Sequence, residues 1–208
     1  MDNLTIKQFN HLKYRTRYLK TNLLFLLVIP FFFTACTENY TPKPRGYFRI
    51  TFPEREYKNF ESNAPYKFET PVYSVILPDS SSLAEAWWYN INFPKMKGTI
   101  HLSYKNLTGN LNEYVEESRS LVYKHTIKAD AINEQAFIKP DENIYGVLYE
   151  IKGNAASPYQ FFVTDSSKHF LRGALYFNVY PNKDSLAPVF KFIKKDIIHL
   201  MESVEWKN

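Results

Sequence analysis

Alternating apolar and polar side chains predict several β-strands between residues 47 and 180. From Trp87 to Phe93 the odd positions are apolar or aromatic, and Asn90 and Asn92 occupy even ones. Residues 100–105 alternate in the same way after the turn at 94–98, so the two segments form a hairpin with one buried face. Further strands are predicted over residues 47–52, 66–68, 72–77, 145–152, 159–164 and 170–180.

Two segments have the apolar spacing of amphipathic helices. The first begins at Leu111 after Asn110, whose side chain can cap it, and its apolar face continues to His125. The second is capped by Asp184 or Ser185. Its inward stripe comprises Leu186, Val189, Phe190, Ile193, Ile197, Leu200, Met201 and Val204.

Hairpin-joined strands with two amphipathic helices define an α+β fold, in which helices flank an antiparallel sheet. The element order is similar to that of PsbP, the extrinsic oxygen-evolving subunit of photosystem II. That resemblance implies an α/β sandwich and, by itself, no function.

The first 35 residues have the layout of a lipoprotein signal peptide. Five cationic side chains and one acidic side chain precede an apolar run from Leu23 to Phe33. This run contains Pro30 and is shorter than the roughly 20 apolar residues that span a bilayer. Four of the five excess positive charges lie in this segment. The basic charge of the chain therefore does not indicate nucleic-acid binding by the folded part.

Cys36 is the only cysteine of the chain and directly follows Thr34 and Ala35. Small residues before a cysteine at the end of a signal core resemble a bacterial lipobox, although Phe33 replaces the usual aliphatic residue. The alternatives are a buried free cysteine or a secreted protein in which Cys36 is incidental. We predict lipid attachment at Cys36, which leaves no cysteine for a disulfide or a thiolate metal site.

The segment after the cysteine is predicted to be a stalk. Pro42 and Pro44 favour an extended, semi-rigid chain over residues 36–46, and a single globular domain is expected over residues 47–208. Near the membrane, the stalk and the start of the domain present a cationic, amphipathic rim: Lys43, Arg45, Tyr47 and Arg49.

This rim can bind lipid phosphate or an acidic partner. Alternatively, Arg45 and Arg49 pair only with Glu54 and Glu56 on the same surface, where exposed ion pairs contribute little stability. Residues 47–52 are predicted to form a strand with Phe48, Ile50 and Phe52 facing the core.

The string PKPRGYFRI at residues 42–50, a few positions after a lipobox cysteine, resembles the gliding-motility lipoprotein D family (GldD) of Bacteroidota. The chain length, the Trp87–Trp88 pair and a C-terminal helix ending near Trp206 also fit. The resemblance implies a membrane-anchored accessory of the gliding and type IX secretion machinery. Its implied partners are other lipoproteins and membrane components. Glu38 is the sole acidic residue soon after Cys36, which favours the periplasmic face of the outer membrane.

Residue types that carry chemistry are sparse in this sequence. The histidines at 101, 125, 169 and 199 stand apart, without the spacing of a metal site. No nucleophile motif or phosphate-binding loop is present. We therefore predict no enzymatic activity, no metal and no cofactor.

The aromatic run Trp87-Trp88-Tyr89 supports an alternative function, an anchored binding module for glycan, peptide or lipid. We expect Trp87 to pack in the core, because large rings stabilise a sandwich. Trp88 shares its face with Asn90 and Asn92, so it is the better candidate for a partner-binding residue.

Overall fold

The computed structural model of the protein describes residues 50–207. In chain order the strands are β1 (Tyr57–Phe60), β2 (Tyr66–Pro71), β3 (Val75–Pro78), β4 (Tyr89–Phe93), β5 (Gly98–Asn106), β6 (Ala129–Lys139), β7 (Ile144–Gly153), β8 (Tyr159–Thr164), β9 (His169–Phe177) and β10 (Glu205–Trp206). The helices are α1 (Leu111–Tyr123) and α2 (Lys183–Glu202). Neither helix, nor any other within this range, has the length and apolar composition needed to cross a membrane.

Seven strands form one sheet in the order β3-β4-β5-β9-β8-β7-β6, and β1, β2 and β10 form a smaller one. Neighbouring strands are antiparallel in both sheets. The predicted hairpin is β4–β5, with Ile91 opposite Ile100. The α+β fold, an antiparallel sheet flanked by helices, is confirmed.

One face of the seven-stranded sheet packs against α2 and β2, and the larger core lies there. Burying each aliphatic side chain of this core contributes about 1.5–3 kcal/mol. The helix contributes much of the predicted stripe: Val189, Ile193, Ile197, Leu200 and Met201 are buried.

The opposite face packs against α1 over a smaller core. Alternation along β8 sends Phe161 and Val163 to the α2 side and Phe162 to the α1 side, so this strand is buried throughout. Gly173 of β9 allows the Phe161 ring to lie across it. A Cβ at Gly173 would come within 2.3 Å of that ring, so β8 and β9 fit only without a side chain there.

The strands β1, β6 and β10 were not predicted. β6 has 11 residues but forms an edge of the sheet and is mostly exposed. Its contacts with the cores are made by Ala129, Ile132 and Phe137, whose spacing is not that of a sustained apolar alternation. β1 and β10 are four and two residues long, too short to give a pattern.

The start of the described chain also differs from the prediction. Residues 50–52 are not a strand, and the rest of the predicted strand 47–52 lies outside the described residues. Ile50 is 38% exposed rather than core-facing. Phe52, by contrast, stacks on Phe192 of α2 with ring centres 4.3 Å apart.

Both helix caps differ in detail from expectation. α2 follows Asn182, whose side-chain oxygen accepts the amide of Ser185 at 3.1 Å, so the cap is neither Asp184 nor Ser185. α1 begins at Leu111 as predicted. The Asn110 side chain, however, accepts the amide of Thr108 at 2.9 Å instead of an amide of the helix.

Candidate functional site

A cleft with a volume of about 440 Å³ opens between α1 and the sheet. Trp88, just before β4, forms part of its wall, with Tyr114 of α1. Ser103 and Arg172 lie opposite each other on β5 and β9, and both line the cleft. The alternation of the two strands therefore places polar side chains beneath the helix at this point.

Trp88 is half-buried, and its Nε1 donates a hydrogen bond to the backbone oxygen of Tyr104 at 3.0 Å. Trp87 is 41% exposed instead of packed in the core, so that prediction is wrong. Its φ of +62° is left-handed, and its carbonyl accepts the Tyr66 hydroxyl at 2.6 Å. The alternation of β4 starts only at Tyr89, and the turn at Trp87 leaves its ring at the surface, edge-on to the Tyr104 ring with centres 5.8 Å apart.

Lys105 lies between two aromatic walls of the cleft. Its Nζ is 5.5 Å from the ring centre of Trp88 and 5.9 Å from that of Tyr114. The same ammonium group pairs with Glu85. The charge of Lys105 is therefore already balanced, and its contacts hold the two rings in place.

The sheet beside the cleft carries a polar row on the face that Trp88 shares. Nδ1 of His101 lies 2.6 Å from Oδ1 of Asn90, and the Thr99 hydroxyl donates to Oδ1 of Asn92 at 2.9 Å. Burial lowers the pKa of His101, and the carboxylate of Asp79 opposes that change. The lowered pKa favours the neutral imidazole, and a proton on Nδ1 would let the ring donate to Oδ1 of Asn90.

Arg172 is the most buried cation of the cleft. Its guanidinium donates to Oε1 of Gln160 at 2.5 Å, and burial lowers its pKa. Among residues 50–207, no carboxylate forms a salt bridge with it. Glu117 of α1 lines the same cleft beyond salt-bridge distance.

On the other face of the sheet, α2 holds a buried carboxylate, Asp196, which is 2% exposed. It accepts the hydroxyls of Tyr57 at 2.9 Å and Tyr73 at 2.6 Å. Nε of Arg55 lies 3.4 Å from the same carboxylate, and the guanidinium also donates to the Phe192 carbonyl. We call Phe52, Arg55, Tyr57, Tyr73 and Asp196 the clamp, because they fix the start of the described chain to α2.

The clamp residue Tyr57 also contacts His199, which in turn contacts Glu69. The Tyr57 ring stacks on His199 with centres 3.6 Å apart, and Nε2 of His199 lies 2.6 Å from Oε2 of Glu69. Burial and the neighbouring Asp196 raise the pKa of Tyr57 to about 12. Burial likewise raises the pKa of Asp196, against the lowering effect of its hydrogen bonds from Tyr73 and Tyr57.

A second, polar groove of about 710 Å³ passes His169 and Trp206. The His169 ring stacks on Trp206 at 5.1 Å, and its Nδ1 lies 2.7 Å from the Tyr104 hydroxyl. Burial lowers the pKa of His169. In the described part of the chain, no group of three His, Cys, Asp or Glu side chains is arranged to hold a metal ion.

Of the site residues predicted from sequence, Trp88 falls within the described chain and lines the cleft. Lys43, Arg45, Tyr47, Arg49 and the lipidation site Cys36 lie outside the described residues. Their roles, and the boundaries of the signal peptide, stalk and domain, stay predictions.

The sequence reasoning missed Asp196 and Arg172. Asp196 was visible as a carboxylate among the stripe positions of α2, between Ile193 and Leu200. Arg172 was visible as the charged residue in the middle of the apolar strand HFLRGALYF. The signal for Asp196 is a charge at the spacing of the buried stripe, and the signal for Arg172 is a lone charge in a strand that is otherwise mostly apolar.

Comparison with known families defines the class of the protein as a lipoprotein associated with gliding motility. Residues 37–206 match the family model described as gliding motility lipoprotein GldD. The chain therefore belongs to the GldD family, whose members are membrane-anchored proteins of the cell envelope.

The search of curated proteins finds no match to this chain. Among solved structures, the solution structure of cyanobacterial PsbP (CyanoP) from Synechocystis sp. PCC 6803 is similar to it. The two share 8% sequence identity with a TM-score of 0.43, over 76% of this chain and 97% of that one. This similarity carries no information on function.

Proposed function

We propose that the protein is a lipid-anchored, non-catalytic structural component of the gliding-motility and type IX secretion machinery of a member of the Bacteroidota. The family match carries this proposal, because the matching family is that of a gliding-motility lipoprotein. The match begins at residue 37, one position after Cys36, which supports Cys36 as the lipid-attachment site. A lipid on Cys36 would tether the folded part to a membrane, and the low acidity after Cys36 supports the periplasmic face of the outer membrane.

The clamp supports a role for the rim residues Lys43, Arg45, Tyr47 and Arg49. Arg49 precedes the clamp residue Phe52 by three positions in the chain. Phe52, Arg55 and Tyr57 are held on α2 by ring stacking, a salt bridge and a hydrogen bond. A partner bound at the rim would therefore be connected to the folded part through a short, fixed segment.

The described titratable groups support a non-catalytic role. The Asp196 carboxylate accepts hydrogen bonds from two tyrosine hydroxyls and forms a salt bridge with a guanidinium. The His169 ring is hydrogen-bonded to the Tyr104 hydroxyl and stacks on Trp206. Side chains held by such hydrogen bonds and ring stacking stabilise a fold and have less freedom to exchange protons with a substrate.

Two chromosomal variants test the proposal. Cys36→Ala should abolish membrane retention, labelling by a fatty-acid analogue, gliding and secretion. The double variant Arg45→Gln/Arg49→Gln should be normally abundant and anchored, yet fail in colony spreading and bulk secretion. It should also lose its co-purifying membrane partners, because an interfacial arginine often contributes about 2 kcal/mol or more.

Lys191→Gln/Lys195→Gln is the matched control, since it removes two exposed cations from α2. This control should behave as wild type. Full function of the Arg45/Arg49 variant would support the alternative in which these residues pair with Glu54 and Glu56. Equal membrane recovery of Cys36→Ala would contradict the lipid anchor.

The second candidate function is an anchored binding module, and the cleft at Trp88 is the observation that favours it. Extraction in mild detergent followed by affinity purification discriminates the two. A defined set of membrane proteins favours the structural component, whereas an isolated protein that retains a small ligand favours the module.

A further inference from the structure

The charge of Arg172 is poorly matched by the protein around it. Arg172 is partly buried, and an arginine that is withdrawn from water normally pairs with a carboxylate, because an isolated charge is costly to desolvate. Here the acceptor is the neutral amide oxygen of Gln160. A guanidinium has five N–H donors, so this oxygen satisfies a small part of its capacity.

Gln160, the hydrogen-bond partner of Arg172, also has unsatisfied hydrogen-bonding capacity. Gln160 is 1% exposed, and its Nε2 has no hydrogen-bond partner. Reversing the amide would turn its NH₂ group towards the guanidinium, so the Arg172 contact fixes the orientation. The protein therefore holds a cation that lines the cleft against a buried amide whose Nε2 is unsatisfied, and an unsatisfied buried group of this kind calls for an explanation.

The remaining lining of the cleft restricts the anion that would fit. Trp88 and Tyr114 supply aromatic walls, whereas Asp79 and Glu117 place two carboxylates among the lining residues. These carboxylates disfavour polyanions such as phosphate esters. A volume of about 440 Å³ is in the range of small-ligand sites.

We infer that the cleft binds a single carboxylate attached to an apolar group, with Arg172 holding the carboxylate and Trp88 and Tyr114 contacting the apolar part. A planar guanidinium matches a carboxylate with two parallel hydrogen bonds. The ligand is either a free organic acid or the terminal carboxylate of a polypeptide.

Glu117 would act as an internal competitor in this site. It lines the cleft, and its charge raises the pKa of Arg172, but it does not form a salt bridge with that residue. Its removal should strengthen binding of an external carboxylate, because repulsion falls and the guanidinium loses a rival acceptor.

The experiment uses the full chain in detergent, labelled with 5-fluorotryptophan so that each of its three tryptophans gives a ¹⁹F resonance. The first probe is N-acetylphenylalanine, and the matched neutral probe is its carboxamide. The third is a hexapeptide that ends in phenylalanine with a free carboxylate. The acids should shift the Trp88 resonance in a saturable way and leave that of Trp206 unchanged, while the carboxamide should bind at least tenfold more weakly.

Charge variants identify the groups responsible. Arg172→Gln should lose the response, and Arg119→Gln should keep it, because Arg119 is exposed on α1. Glu117→Gln should bind the acids several-fold more tightly, whereas its neighbour Glu116→Gln should not. Glu117 is exposed, so this variant folds and keeps the inference testable if Arg172→Gln does not.

If the hexapeptide binds tenfold more tightly than N-acetylphenylalanine, the ligand is a polypeptide terminus. If it binds equally or more weakly, the ligand is a free organic acid. The inference is overturned if neither acid shifts Trp88, if the carboxamide binds equally well, or if Glu117→Gln has no effect. The measurement uses the isolated chain, so either result leaves the proposed role in gliding and secretion to its own test.

Discussion

Asp196, which is buried, and Arg172, which is partly buried, are charges on the two sides of the same sheet, and they differ in how the protein compensates them. Asp196 of α2 receives two hydroxyls and the guanidinium of Arg55. The guanidinium of Arg172 in β9 donates to one amide oxygen, that of Gln160. The first charge lies in a packed core, and the second lines a cleft.

The difference separates a structural charge from an available one. At the clamp, which fixes the chain to α2, both oxygens of the buried carboxylate have partners within the protein. Where the protein leaves a charge unmatched beside a cavity, the missing partner can come from outside. The α2 face therefore serves to hold the domain together, and the α1 face is the side on which binding is expected.

Introducing a charge into the packed α2 face should have the largest effect. Ile197 is fully buried, so Ile197→Asp should lower the free energy of unfolding by about 4 kcal/mol or more. Urea unfolding followed by circular dichroism measures this loss. Lys195→Asp, at an exposed position on the same helix, is the control and should change stability by less than about 1 kcal/mol. A small effect of Ile197→Asp would show that water reaches position 197 and that the α2 face is not packed as described.

Removing the compensated charge should be the next largest effect. Asp196→Ala leaves Arg55 and two tyrosine hydroxyls without their acceptor, and should cost about 3 kcal/mol. Asp196→Asn keeps one acceptor oxygen and should cost less. Glu202→Gln, an exposed carboxylate at the end of α2, should be close to neutral. If Asp196→Ala matched Glu202→Gln, the clamp would not contribute to stability.

Tyr57→Phe tests the clamp more finely, since it removes one hydroxyl and keeps the stacking on His199. It should cost about 1–2 kcal/mol at pH 8. The pKa of Tyr57 is raised from 10.0 to about 12, so its stabilisation is complete below pH 10 and is lost as the pH rises through about 12. The difference between wild type and variant should therefore shrink between pH 10 and pH 11.5.

Tyr180→Phe is the control for the pH series, because the Tyr180 side chain is 91% exposed. Its unfolding free energy should follow that of wild type at every pH. A constant difference for Tyr57→Phe across the series would mean that Tyr57 is not coupled to Asp196 in the folded state.

Periodicity predicted the parts of the fold in which one side of an element is buried. The α2 stripe, the β4–β5 hairpin and the start of α1 follow from the sequence, because burial imposes spacings of 3.6 or 2. The edge strand β6 did not, since exposure on both faces removes that constraint. Trp87 was misplaced because it has a left-handed φ and a long-range hydrogen bond from Tyr66, and no local pattern indicates either feature.

Periodicity also predicted one part of the candidate site, the position of Trp88, but not the contribution of Arg172. Trp88 and its polar face follow from the alternation of β4 with Asn90 and Asn92. The contribution of Arg172 depends on strand β9 lying beside β5 and beneath α1, a long-range arrangement. A single sequence shows that Arg172 is unusual in its strand, but not which cavity it lines.

Replacing the uncompensated pair should have the smallest effect on stability, and this gives the sharpest contrast with Asp196. The double variant Arg172→Met/Gln160→Leu removes both polar partners and fills their space with apolar groups. Such replacements of a poorly satisfied buried pair are often neutral or stabilising, so we expect a change within about 1 kcal/mol or a gain.

The single variant Gln160→Leu should be less stable than the double variant, because it leaves the guanidinium without its remaining acceptor. Urea unfolding of wild type and of the two variants measures both differences. A loss of about 3 kcal/mol in the double variant, equal to that of Asp196→Ala, would mean that Arg172 is as well compensated as Asp196. A neutral double variant that also fails to bind N-acetylphenylalanine would show that the pair is retained for its ligand and not for the fold.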